Sequence, residues 1–206
     1  WGLLAAGLAA LIALPGRTAA IAAVAGAVVA GLAMLWPARS ALGRAVTGAF
    51  FAALILLAPP FVASISRADV AARMNPSAVH RLLIWDFVLE RASDRPWLGW
   101  GVEASRSVPG GKAPPTQAVL DRLQLGPAMR QWLDRPEVEV LPLHPHSGPL
   151  QLLLELGWVG LATAAALAGL LAFVAGPVGL GVLASALVTF LFSFGVWQPW
   201  WMAAQA

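Results

Sequence analysis

Four stretches leave this chain little choice of surroundings. Residues 17–36, 42–62, 149–173 and 178–196 are apolar over close to the ~20 residues that a helix needs to cross a bilayer. A backbone in hydrocarbon must satisfy its own hydrogen bonds, and a helix does so within one segment. The pattern predicts an all-α, polytopic transmembrane protein. Composition agrees: 11% of the 206 residues are charged, against roughly 25% in a soluble domain. A net charge of +3 in such a chain reflects topology or lipid contact, and no nucleic-acid partner is expected. With no cysteine, a disulfide framework and thiolate chemistry are excluded.

Residues 1–63 make the first membrane block. Trp1–Leu14, about 14 residues long, is too short to cross and reads as a truncated span. The chain opens inside this apolar run without Met, as a piece of a longer membrane protein would. Pro15-Gly16 is a turn, and the small residues of Arg17–Trp36 predict close helix packing. The short loop 37–45 carries Arg39 and Arg44 and no acid, which marks it as cytoplasmic. Leu42–Val62 returns across the membrane and ends at Pro59-Pro60, so the polar block 64–148 is expected on the outer, periplasmic side.

That block holds every acid but Glu155, all 3 histidines, and all but Arg17, Arg39 and Arg44 of the 13 basic residues. It is too long for an idle connection. Asn75-Pro76-Ser77 predicts the start of a helix that runs to about Ser93 and stops before Pro96. A second helix is predicted over 116–134, with a flexible Gly- and Pro-rich loop, 108–115, between them. Residues 149–206 supply two C-terminal transmembrane helices, joined at Ala175-Gly176-Pro177 and closed by an interfacial tryptophan cluster, Trp197 to Trp201.

Chemistry concentrates where polar block meets apolar helix. Ser147 is placed to cap the helix and Pro149 fits its first turn, which sets His146 at the positive end of a helix dipole. The dipole disfavours imidazolium and leaves the ring able to accept a proton. The plainer alternative is an interfacial histidine bonded to a neighbour. His144 is the weaker candidate, because Pro145 kinks the chain between the two. Arg81 shares a helix face with Trp85, four residues on, and an arginine held by an indole suits bidentate phosphate binding. A merely stacked surface arginine is the alternative. Arg17 opens a span on the same outer side as the polar block, where interfacial snorkelling is the common explanation. Glu155 and Gln151 share one face inside a span, as structural groups or as part of a polar pocket. No spacing of His, Asp and Glu gives a metal site, and no nucleotide loop or cofactor motif is present.

These pieces, in order, resemble the C-terminal half of the O-antigen ligase and polymerase family of bacterial membrane proteins. The likeness rests on Gly16-Arg17-Thr18 and on Arg81 followed by Trp85. It also rests on Pro96-Trp97-Leu98-Gly99-Trp100-Gly101, on His146-Ser147, and on Glu155-Leu156-Gly157. Ser147 stands where Asn is usual, and Gly16 and Thr18 stand where Ser and Gly are usual. The resemblance implies a membrane glycosyltransferase of C-type architecture in the bacterial inner membrane, with its site on the periplasmic side. Its donor would be an undecaprenyl-diphosphate-linked glycan. Its acceptor would be lipid A-core in lipopolysaccharide biosynthesis, or another lipid-linked glycan if the chain is a polymerase. The resemblance further implies catalysis without a metal, with Arg17 and Arg81 on the diphosphate and His146 as general base. A membrane transporter lined by Gln151 and Glu155 is the rival from another class.

Overall fold

The computed structural model describes residues 17–35, 40–65, 74–192 and 195–198. The expected span over Trp1–Leu14, the turn at Pro15-Gly16, Arg39, and Trp200-Trp201 lie outside them. Every regular element among the described residues is helical. The elements are α1 (Arg17–Leu35), α2 (Ala41–Leu56), α3 (Ala58–Ser64), α4 (Pro76–Asp94), α5 (Gln117–Arg122), α6 (Pro127–Leu133), α7 (Gly148–Val174) and α8 (Pro177–Phe192). A 3-10 turn, Ala104–Arg106, follows α4.

Of the expected spans, α1 and α7 are long and apolar enough to cross a membrane. The expected span 42–62 is instead a bent pair, α2 and α3, turning by 48° at Leu57. The Pro59-Pro60 pair does not end it. Both prolines fall in the first turn of α3, where a missing N–H goes unnoticed. The described part of the last helix, Pro177–Phe192, is 16 residues long, and Val196, the expected end of that span, lies in a turn.

Small residues set the packing. α1 lies against α8, with Gly26 facing Gly181 so closely that a Cβ on either would come within 2.7 Å of the other's carbonyl oxygen. Ser185 Oγ donates to the Ala22 carbonyl across the same contact at 2.9 Å. α2 lies against α7 through Gly48 and Gly169 in the same way. Without a hydrophobic drive between helices in lipid, such close approach is what dispersion can exploit. Both pairs are antiparallel by their contact register: Ala22 and Gly26 meet Ser185 and Gly181, and Gly48 and Ala52 meet Phe173 and Gly169. The start of α1, the end of α2, the start of α7 and the end of α8 therefore share one end of the bundle. The polar segment sits on that end.

α4 carries this segment on two faces. Asn75 caps it, its side chain accepting the Ala78 N–H at 3.0 Å. Val79, Leu82 and Leu83 pack on Leu120, Leu123 and Leu133. Ile84 and Val88 pack on Val108, Leu141, Leu150 and Leu154, which docks the segment on α7. The expected single helix over 116–134 is broken: Leu123–Gly126 intervenes between α5 and α6, with Gln124 at φ 49°. Gly126-Pro127 was the stop-and-start signal, Pro127 taking the first turn of α6. The expected flexible loop 108–115 is pinned, since Leu141 N–H donates to the Gly111 carbonyl at 2.8 Å and Val140 N–H to that of Ala113 at 3.0 Å.

The junction with α7 is a backbone interlock. α7 breaks at Gly157, φ 65° and ψ −166°, a region open in practice to glycine alone. The break opens backbone groups that residues 96–101 fill. Trp100 and Gly101 N–H groups donate to the carbonyls of Leu154 and Glu155 at 2.9 and 2.8 Å. Trp158 N–H donates to the Pro96 carbonyl at 2.8 Å. A Cβ on Gly99 would lie 2.6 Å from Leu156 N, and one on Gly157 2.6 Å from Leu98 N.

Within the interlock, the fully buried Glu155 carboxylate accepts from Glu103 N at 3.0 Å, Ser105 N at 3.2 Å, Ser105 Oγ, Gln151 Nε2 at 3.1 Å, and the Trp197 indole. Gln151 Oε1 in turn accepts the Val196 N–H at 2.9 Å. Glu155 and Gln151 thus hold the interlock together and also line a polar cleft, and Trp197 turns inward as a donor rather than serving only as an interfacial anchor. Gly157→Ala should lower unfolding stability by about 2 kcal/mol or more, from forced left-handed geometry plus the clash. Glu155→Ala, which orphans buried donors, should cost about 3 kcal/mol. Gly31→Ala in α1, where a Cβ meets nothing within 4 Å, should be neutral or slightly stabilising. Thermal unfolding in detergent compares the three directly.

Candidate active site

The segment 141–147 descends into α7 between the end of α8 and one face of α4. Trp85 of α4 donates its indole N–H to the Pro145 carbonyl at 2.8 Å, which fixes the peptide between the two histidines. Trp85 does not act as the shelf for Arg81 that sequence reasoning expected. Arg81 reaches across instead, donating from Nη1 to the Phe192 carbonyl at the end of α8 at 3.3 Å. His80, its neighbour, is occupied elsewhere, bonded through Nε2 to the Glu139 carbonyl at 2.8 Å and set edge-on to Trp132.

Pro145 does not part the histidines. Their ring centroids are 4.4 Å apart, and His144 Nδ1 accepts the His146 N–H at 3.2 Å. The kink closes the pair because His146 is in the left-handed region, φ 55°. Beyond glycine, that conformation costs roughly 1–2 kcal/mol, and it gathers at functional sites. Ser147 is the N-cap residue of α7, but its side chain makes no cap bond. Its carbonyl accepts the Gln151 N–H at 2.9 Å, and Pro149 sits in the first turn as expected. The back of the site is closed by α8 and the turn after it. A Cβ on Gly148 would strike the Phe190 ring, and one on Gly195 would press the His144 ring at 3.1 Å.

Two guanidinium groups act on His144. Burial, the charge of His146, and those of Arg106 and Arg81 together push the His144 pKa from 6.5 down to about 4. Arg106 was not singled out in the sequence. It ends the 3-10 turn that Glu155 holds, pairs with Glu103 at 3.2 Å, and lines a cleft of about 20 Å³ with His144 and Gln198. Nothing in its spacing marked it, because its position depends on a buried carboxylate 49 residues later in the chain. Arg17 opens α1. Its side chain is outside the described residues, but the antiparallel register places its backbone at the end of the bundle where α8 finishes.

Beside the polar cleft lies an apolar cavity of about 840 Å³, lined by Phe51 and Ile55 of α2, Leu156 and Leu167 of α7, and Phe190 of α8. Trp197 lines both, so one indole divides the apolar cavity from the polar cleft. Among the described residues, no group of three or more His, Asp and Glu side chains could hold a metal ion.

Known proteins give the arrangement its family. Three rickettsial proteins, each named "Putative polysaccharide ligase", match part of the chain. The one from Rickettsia conorii (strain ATCC VR-613 / Malish 7) is 34% identical over 109 residues, 52% of this chain and 23% of its own length. The one from Rickettsia bellii (strain RML369-C) is 33% identical over 145 residues, 66% of this chain and 32% of its own. The one from Rickettsia prowazekii (strain Madrid E) is 39% identical over 88 residues, 43% and 18%. The matched region thus covers about a third or less of each relative. No solved structure matches. The family model described as O-antigen ligase matches residues 2–165, through the bundle, the interlock and the paired histidines, and the chain belongs to the O-antigen ligase family.

Proposed function

We propose that this chain carries the catalytic part of a membrane glycosyltransferase of the O-antigen ligase type. It would move a glycan from an undecaprenyl-diphosphate carrier to a lipid A-core hydroxyl. The observation that carries the reading is a polar cleft lined by His144 and Arg106, with the His146 ring against His144 and the charge of Arg81 acting on it, set beside a large apolar cavity with Trp197 lining both. That is the layout a diphosphate lipid asks for: a dry channel for the prenyl chain and fixed cations for its head.

In the proposed reaction the acceptor oxygen attacks the anomeric carbon of the donor sugar. His146 takes the hydroxyl proton, and the bond from that carbon to the diphosphate oxygen breaks. Undecaprenyl diphosphate leaves with the electron pair, and the anomeric configuration inverts. Arg81 and Arg17 hold the diphosphate, and guanidinium charge rather than a metal ion meets the negative charge that develops on it. The relatives' name, polysaccharide ligase, supports transfer of a finished glycan over stepwise polymerisation.

His146→Ala should lower transfer by roughly 100-fold or more, the span of a lost general base. The measurement is glycan transfer to purified acceptor in membranes carrying the protein, and near-normal transfer removes His146 as the base. Arg81→Ala should raise the KM for the lipid donor far more than for the acceptor, and Arg81→Lys should not restore it, because lysine lacks the planar fork. EDTA should leave the rate unchanged.

The same reading sets the polar segment outside the inner membrane. These 206 residues hold no cysteine, so Thr116→Cys, an exposed position just before α5, adds one thiol to them, read against the protein without the substitution. A membrane-impermeant maleimide should label it in intact spheroplasts. Labelling only after lysis would invert the proposed topology.

A further inference from the structure

We propose that His144 is a positioning residue: its Nδ1, by accepting the amide hydrogen of His146, holds that residue in the left-handed conformation that aims its side chain. The inference rests on the reading of His146 as the base. It goes further by giving the first histidine of the His-Pro-His run a separate task.

The geometry divides the two rings. A backbone N–H is an obligatory donor, so the atom it meets must offer a lone pair. His144 Nδ1, 3.2 Å from His146 N, is therefore unprotonated, and the ring's one proton sits on Nε2. A histidine in that state donates through Nε2 and does not take up a proton at Nδ1 without breaking the bond it makes. Its surroundings keep it so. Burial acts most, and the charges of His146 beside it, of Arg106 on the 3-10 turn and of Arg81 on α4 add to it. Glu103 and Glu155 line the same cleft, but Glu103 is paired with Arg106, and Glu155 is bonded to the turn, to Gln151 and to Trp197. The ring therefore charges only as pH falls through about 4.

The frame around His144 fits this task. Gly195 lies against one side of the ring, close enough that a Cβ there would be 3.1 Å from His144 Cγ. The indole of Trp85 holds the Pro145 carbonyl in the peptide between the two histidines. Between these two fixed points the His144–His146 bond restrains His146 at a φ of 55°, a conformation unfavourable for a side chain of its size.

Two measurements test it. Asparagine can place its carbonyl oxygen near the site of Nδ1, whereas glutamine and alanine cannot. His144→Asn should keep kcat within a few-fold of the parent, while His144→Ala and His144→Gln lose roughly 10- to 100-fold, all with little change in donor KM. Equal losses in Asn and Ala, or a change confined to KM, would overturn the proposal. Imidazole nitrogen NMR on histidine-labelled protein, assigned with the single substitutions, should show His144 as the neutral Nε2–H form from pH 8 to about 5. An Nδ1–H tautomer, or imidazolium already at pH 6, would also overturn it. His146→Ala is run alongside. Transfer lost there but intact in His144→Ala sinks this inference alone, whereas transfer surviving in His146→Ala sinks the base reading and this inference with it.

Discussion

A carboxylate with no exposure to solvent, set about two turns into an apolar helix, is the constraint on which this structure depends. An ion in such a place is tolerated only when its lone pairs are all engaged. Glu155 meets that condition with two backbone amides, a hydroxyl, a side-chain amide and an indole, drawn from three separate parts of the chain. None of those donors is a cation. The charge is stabilised by oriented dipoles, as in a backbone nest, and not by an ion pair. Because the donors come from the 3-10 turn, from α7 itself and from the turn after α8, the carboxylate decides where each of them sits. Arg106 stands near His144 because its turn is tied to Glu155, and Trp197 divides the apolar cavity from the polar cleft because its indole is tied there too.

The break at Gly157 belongs to the same device. An unbroken α7 would use its own carbonyls internally and leave nothing for residues 96–101 to bind. By opening the helix for one residue, the chain offers the Leu154 and Glu155 carbonyls to Trp100 and Gly101 and receives a carbonyl from Pro96 in return. Two glycines are needed because two backbones touch, and each has φ near +66° as well as no room for a Cβ. The Pro-Trp-Leu-Gly-Trp-Gly and Glu-Leu-Gly runs are therefore one structural element split over some fifty residues, and their joint occurrence has a steric cause.

Sequence reading reached the membrane helices, the polar block between them, α4 with its Asn75 cap, and the start of α7, because each is written in local signals: apolar length, a cap, a proline. It placed the small-residue contacts in general terms and left Gly48–Gly169 and Gly26–Gly181 unpaired, since register between helices is not a local property. It missed the bend at Leu57, the break at Gly157 and the gap between α5 and α6. In each case a composition favourable to helix was overridden by a packing demand or by one glycine or proline whose role depends on a distant partner. Arg106 was invisible for the same reason. Trp85 was chosen for the right location and the wrong bond: helical spacing put it beside Arg81, but its N–H answers to Pro145.

His144 shows how a local argument can invert in three dimensions. A proline between two histidines keeps them off a common helix face, and from that follows the expectation that they act apart. Proline also removes one amide donor and narrows the backbone, so the chain on either side is committed to a turn before any tertiary contact forms. With Trp85 holding the Pro145 carbonyl, the left-handed region is where the His146 amide meets His144 Nδ1. The kink that argued against a pair is what makes the pair short. A ring kept neutral by burial and by its cationic neighbours can serve that bond until the pH falls to about 4. Two adjacent histidines can therefore differ in role because one of them is denied its second proton.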